Sequence, residues 1–306
     1  MPPMETPFSF WFGFNIAVVV VLALDLTVLH RERRAPSMLE SVLTTLVWVA
    51  LAVGFGVWLA GQMGREKGSE FFTGYVIEYS LSMDNLFLFV LIFTNFRVVP
   101  EQQRRLLFWG VIGALVMRGA MIGAGVALLA RFEWVIYLFG AYILYAGFSM
   151  LFHKANVDVE KLRAVQWARR FLPLSSGDHG GRFVVREAGQ LKFTLLFLVL
   201  VAVEVTDLIF ALDSIPAIFG VTTDPFIVYT SNVCAVLGLR SLYFVLAGAV
   251  KSLSYLHLGL ACVLMFIGTK MMIGGFYHIS TDLSLIIVAG ILTVAVVASL
   301  LKTKTT

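Results

Sequence analysis

Residues 193–219 read FTLLFLVLVAVEVTDLIFALDSIPAIF. The stretch is long enough to cross a bilayer as a helix, which takes ~20 predominantly apolar residues. It also holds three carboxylates, Glu204, Asp207 and Asp213, and a proline, Pro216. Ionisable groups are costly inside a membrane, and where they persist they mark ion or proton pathways. The run therefore announces a helical, membrane-spanning fold with charge built into its interior.

The rest of the chain repeats the pattern. It has 306 residues, 59% of them hydrophobic and 14% charged, against ~45–50% and ~25% in soluble proteins. Mean hydropathy is +0.89. About 181 apolar residues are present, and nine spans of ~20 would use them all. Nine apolar runs fall near 8–29, 41–62, 71–95, 106–129, 133–152, 193–219, 226–249, 255–275 and 283–301. None alternates like a barrel strand, so the expected fold is all-α, a single polytopic membrane domain of nine transmembrane helices. The first run is too long for a leader's apolar core, lacks a small-residue cleavage pattern, and is expected to be retained. This composition excludes a soluble enzyme and a disordered chain, and it argues against a nucleic-acid partner despite a net charge of +4. Cys234 and Cys262 lie in apolar runs and fit neither a disulfide framework nor a thiolate metal site.

Basic residues set the expected orientation. With the N-terminus outside, 17 of the 23 lysines and arginines fall in the cytoplasm. Arg65, Lys67 and Arg131 fall outside, and Arg118, Arg240 and Lys270 lie within spans. The expected setting is a bacterial inner membrane with the C-terminus cytoplasmic. Residues 153–192 then form a cytoplasmic loop with eight basic residues. Within it, 157–172 fits a short amphipathic helix with Trp167 and Phe171 on the apolar side, and Gly177, Gly180 and Gly181 favour flexibility after it.

Two parts of the chain resemble each other. Glu78 to Asp84–Asn85 and Asp207 to Asp213–Ser214 both read acid, five residues, Asp, small polar residue. The following runs each carry one arginine, Arg118 and Arg240, and the third runs share Ala146–Met150 against Ile267–Met271. Spans 3–5 and 6–8 thus read as two three-helix repeats. An odd helix number forces opposite insertion, and inverted repeats around a midplane site are a transporter architecture.

Six carboxylates fall within spans: Asp25, Glu78, Asp84, Glu204, Asp207 and Asp213. At ~2.5–3.5 kcal/mol each they cost roughly 15–21 kcal/mol, so pairing, protons, water or a cation must neutralise them. Arg118, Arg240 and Lys270 balance at most three. The remainder suits one divalent cation and one proton. Asp25 lies near a span end, where water offers a simpler explanation. On an ideal helix a six-residue offset separates two acids by about 120°. A break near Asp213–Ser214, promoted by Pro216, would bring that Asp inward, and a similar break is expected at Asp84–Asn85, where no proline promotes it. With Asn85, Ser214 and Asn232 the ligand set is oxygen-rich, suited to Mn²⁺, Mg²⁺ or Ca²⁺. No histidine sits at a span centre, which argues against zinc or copper.

Four segments carry a family resemblance: 74–85 (GYVIEYSLSMDN), 203–219 (VEVTDLIFALDSIPAIF), 230–240 (TSNVCAVLGLR) and 266–271 (FIGTKM). They resemble the TerC family of integral membrane proteins, in particular its Alx-like branch. That resemblance implies a nine-helix transporter-like fold, a role in Mn²⁺ export, and links to tellurite resistance and alkaline-pH responses. By position, Glu78, Asp84, Glu204, Asp207 and Asp213 become metal-site candidates. Tyr79 and Ser149 stand where Alx-like members tend to have lysine, which makes this interior more acidic and leaves Lys270 without a partner copy. The leading expectation is a proton-coupled exporter of Mn²⁺, working on metal cations and protons within the lipid bilayer and needing no prosthetic group. Two other readings remain open: a Ca²⁺/H⁺ exchanger, and a membrane-protein insertion or assembly factor, a role linked to some relatives in photosynthetic membranes. No nucleotide-binding or hydrolase motif points to an enzyme.

Overall fold

A computed structural model describes residues 6–24, 36–152, 172–175, 180–187, 189–249, 255–277 and 279–305, together with Gln166. Nine helices lie among these residues: α1 (Phe8–Leu24), α2 (Met38–Met63), α3 (Arg65–Asn95), α4 (Pro100–Arg131), α5 (Val135–Phe152), α6 (Leu195–Phe219), α7 (Pro225–Ala249), α8 (Leu256–Ile273) and α9 (Thr281–Thr305). Eight of them, α2 to α9, are long and apolar enough to cross a membrane, whereas α1 is apolar over 17 residues. The chain is an all-α polytopic membrane protein. Many large apolar side chains stay exposed on its outside, among them Val57, Val116, Leu138, Ile286 and Val294. A surface of that kind is stable against lipid rather than water.

Local chemistry sets the helix limits. Ser37 caps α2 in a capping box with Glu40: its hydroxyl accepts from the Glu40 amide at 3.2 Å, and its own amide donates to the Glu40 carboxylate at 2.8 Å. Gly64 alone separates α2 from α3, at a φ of 97° that other residues rarely adopt. Pro100 opens α4, where its missing N–H costs nothing. Asp224 accepts from the Phe226 amide at 3.0 Å at the start of α7. A short antiparallel hairpin, β1 (Val184–Glu187) and β2 (Gln190–Phe193), lies where the sequence suggested only a loop. It is tied to the bundle by Arg105, which donates to the Gly181 carbonyl at 2.7 Å, and by Thr194, which donates to the Arg182 carbonyl at 2.7 Å. The expected continuation of the first span to residue 29, and nearly all of the expected 157–172 helix, lie outside the described residues.

Helix α3 packs on α7, α4 packs on α6, and α5 packs on α8, while α2 and α9 flank α3. The α5–α8 contact is closest. A Cβ at Gly147 would meet the Ala261 carbonyl oxygen and the Met265 amide nitrogen, both at 2.9 Å. A Cβ at Gly268 would meet the Gly140 carbonyl oxygen at 2.8 Å and the Leu144 amide nitrogen at 2.6 Å. Adding 121 to 147, 140 and 144 gives 268, 261 and 265, so the contact reproduces itself when the two helices are exchanged.

Neither expected helix break is present. Helix α6 runs through Pro216 to Phe219, and α3 runs through Asn85 to Asn95. Pro216 removes only one helical hydrogen bond, to the Leu212 carbonyl. It stands in the last turn, and the Gly220 amide closes the end by donating to the Pro216 and Ala217 carbonyls, each at 3.2 Å.

The glycine contacts lead to a paired prediction. Gly268→Ala must push α8 away from backbone atoms of α5, and overpacking of that kind costs ~1–3 kcal/mol. Gly290 in α9 has nothing within 4 Å of an added Cβ. Thermal melts in detergent are expected to show Gly268→Ala lowered and Gly290→Ala unchanged or raised. Equal melting would contradict the close approach.

Candidate functional site

Arg118 reaches from α4 into the middle of the bundle, where its side chain is 1% exposed. Its Nε and Nη2 donate to the two carboxylate oxygens of Asp207 on α6, both at 3.0 Å. Its Nη1 donates to Glu78 on α3 and lies 3.5 Å from the Ser214 hydroxyl. Bidentate guanidinium–carboxylate pairing is among the strongest polar contacts available. Ser82 donates to the same Glu78 oxygen at 3.2 Å, and the other, Oε2, is buried with no hydrogen-bond partner among the described residues. One cation thus serves two acids, so the cluster of three carries a formal charge of −1 when both acids are ionised.

Asp213 sits elsewhere. Its Oδ1 accepts a 2.6 Å hydrogen bond from the Tyr142 hydroxyl on α5. Both line a cavity of about 320 Å³ among α3, α5, α6 and α8, whose polar walls also include Asn85, Ser149 and His257. His257 Nε2 is engaged with the Met150 carbonyl at 2.8 Å. The six-residue offset explains the division: Asp207 faces α4, and Asp213, about 120° around the helix, faces α5. The helix geometry was sufficient, and no break was needed to give each acid a partner.

Glu204, one turn before Asp207, lies against α4. A Cβ at Gly113 would overlap its carboxylate, and its Oε2 is buried without a hydrogen-bond partner among the described residues. Asn232 on α7 is fully buried, and neither polar atom of its amide finds a partner among the described residues. Asn85 and Ser214 are buried as well. Orphaned polar groups in a membrane interior are expensive, so three of the expected ligands retain unused capacity. Among the described residues no three of His, Cys, Asp and Glu come together as a metal-holding group. The expected ligand set is therefore not one cluster here: Glu78 and Asp207 are committed to Arg118, while Glu204 and Asp213 stand apart. The side chain of Asp84, on α3, and the whole of Asp25 lie outside the described residues.

The other two expected counter-charges do not join Arg118. Arg240 lines a small cavity of about 50 Å³ with Arg104, Ser41 and Thr44. Lys270, in the last turn of α8, interacts electrostatically with Glu70. Glu70 itself escaped the sequence reading because it falls just before the apolar run. It accepts from Lys67 at 2.9 Å and from Thr222 at 2.7 Å, and Lys67 also pairs with Asp224 at 3.2 Å. These contacts tie the start of α3 to the α6–α7 connection beside a cavity of about 870 Å³. Tyr142 and Gly113 were also missed, since nothing in a single apolar helix distinguishes them.

Removing one partner of a buried ion pair typically costs ~3–5 kcal/mol. Arg118→Gln is therefore expected to give aggregated protein on size-exclusion chromatography, and combining it with Glu78→Gln and Asp207→Asn is expected to restore a monodisperse peak. A single variant as well behaved as the wild type would show that the pairing is dispensable.

Comparison with known proteins agrees with this architecture. Residues 63–306 match the model of the integral membrane protein TerC family. An uncharacterised membrane protein of Myxococcus xanthus is 46% identical over 99% of this chain and 95% of its own length. Alx proteins, named as candidate membrane-bound redox modulators, are 45% identical in Salmonella typhi, over 94% of this chain and 92% of theirs. The Alx protein of Escherichia coli K12 is 44% identical, over 92% of this chain and 91% of its own. No solved structure matches. The chain belongs to the TerC family of integral membrane proteins and is Alx-like.

Proposed function

We propose that this chain is a secondary transporter that exports divalent metal cations, with Mn²⁺ as cargo, in exchange for protons. The carrying observation is the imbalance of buried charge. Arg118 answers Glu78 and Asp207 together, while Glu204 and Asp213 have no cation at hydrogen-bond distance among the described residues. A membrane interior holds such an excess with the help of water, protons or a cation, and a site that accepts protons or a cation can exchange one for the other. The oxygen-only ligand set suits a hard divalent ion, and the choice of Mn²⁺ follows the TerC resemblance. Redox modulation, the term in the Alx name, would have only Cys234 and Cys262 to work with as thiols, and both are free.

The proposed architecture has nine spans, with α3–α5 and α6–α8 as inverted repeats. Its support is the exchange symmetry of the α5–α8 contact, together with α3 packing on α7 just as α6 packs on α4. The excess of basic residues supports a proposed orientation with the N-terminus outside and the C-terminus in the cytoplasm of a bacterial inner membrane. In that orientation the cavity beside Asp213 extends toward the cytoplasmic ends of α5 and α8, at Met150 and His257. The Lys67–Glu70–Asp224 contacts then stand at the outer end, beside the 870 Å³ cavity.

In cells loaded with manganese, expression of the wild type is expected to lower cellular Mn²⁺. Asp84→Asn and Asp213→Asn are expected to abolish that effect while remaining inserted. Unchanged export in both correctly inserted variants would remove the proposal.

A further inference from the structure

The Tyr142–Asp213 contact bears on which ion the site takes. We infer that Tyr142 is a specificity-determining residue: its hydroxyl occupies one oxygen of Asp213, leaves the other for single-oxygen ligation, and so favours small octahedral divalent cations over calcium. The inference rests on the function proposed above and deepens it.

The geometry is direct. A phenol has one proton to donate, and here it goes to Asp213 Oδ1 at 2.6 Å. The acceptor lies on the wall of the 320 Å³ cavity, which Asn85 and Ser149 also line. That space far exceeds the ~10–15 Å³ needed by one water, so a partly hydrated ion fits beside the carboxylate. Calcium takes ~6–8 oxygens and often binds a carboxylate through both atoms, whereas smaller ions require near-octahedral sites with single-oxygen ligands. A hydroxyl fixed on Oδ1 works against the first arrangement and leaves the second available.

Tyr142 is also held in place. Gly140 and Gly147, on either side of it in α5, are packed against the backbone of α8, so the hydroxyl is presented from a fixed helix. The contact is not repeated at the exchange-related place in α8. Adding 121 to 142 gives 263, and Val263 is a fully buried apolar residue. The exchange that relates α5 to α8 therefore has no second hydroxyl, and the donor belongs to the Asp213 side alone.

Hydrogen bonds made behind a metal ligand typically change affinity ~10–100-fold when removed. The test is Mn²⁺ transport into proteoliposomes with Ca²⁺ as competitor, comparing wild type, Tyr142→Phe and, as a control on the same helix, Tyr137→Phe. In Tyr142→Phe the Ca²⁺ inhibition constant, relative to the KM for Mn²⁺, is expected to fall by about tenfold. The control is expected to match wild type, and melting temperatures in detergent establish that all three are folded. A merely structural role would weaken both ions alike, so an unmoved ratio in Tyr142→Phe overturns the inference. A wild type that neither binds nor moves any divalent cation is a different result, and it removes the proposed function itself.

Discussion

The guanidinium of Arg118 joins α3, α4 and α6 by pairing with Glu78 and Asp207 at once, and the chemistry of the bundle depends on what it leaves unneutralised. A buried ion pair is expensive to form and more expensive to break, because the abandoned charge cannot return to water. Here the cation bonds acids from both repeat-like halves of the chain. It therefore locks the halves at a defined register, and its single positive charge falls one short of the two negative charges it holds. Glu204 and Asp213 add to the deficit without adding a cation.

That deficit has a spatial order. Two acids six residues apart on one helix face different neighbours, so α6 divides its roles: Asp207 goes to the arginine and Asp213 to the cavity. The close α5–α8 contact, in which glycines let backbone meet backbone, supplies a firm wall on which Tyr142 stands. Tight packing of small residues is the usual means of helix association in a bilayer, where lipid tails give no hydrophobic drive. The Arg118 cluster and the cavity beside Asp213 are thus separate but adjacent on α6.

Much of this was legible in the sequence because membrane folding leaves few options. Runs such as 193–219 can only be helices, and acids within them stand out against apolar surroundings. The acids of 78–85 and 207–214 likewise marked α3 and α6 as the helices that carry buried charge. What the sequence could not show was which acid meets which partner. Glu78, Asp207 and Arg118 come from three helices, and their meeting depends on packing rather than spacing. Arg118 and Arg240 look equivalent in the chain yet lie in different surroundings. Pro216 suggested an interruption, but a proline in the last turn loses one bond and the helix survives it. The β1–β2 hairpin was hidden within a polar stretch whose composition resembles a linker, and Tyr142 was one aromatic among many.

Under the proposed function, the surplus of buried carboxylates exchanges protons for a divalent cation. Calorimetric titration of the purified protein with Mn²⁺, repeated in buffers of different ionisation enthalpy, measures that exchange directly. The expected result is saturable binding with release of about one proton or more per ion, weakening as the pH is lowered. Absence of binding, or binding whose measured heat is independent of the buffer, would contradict it.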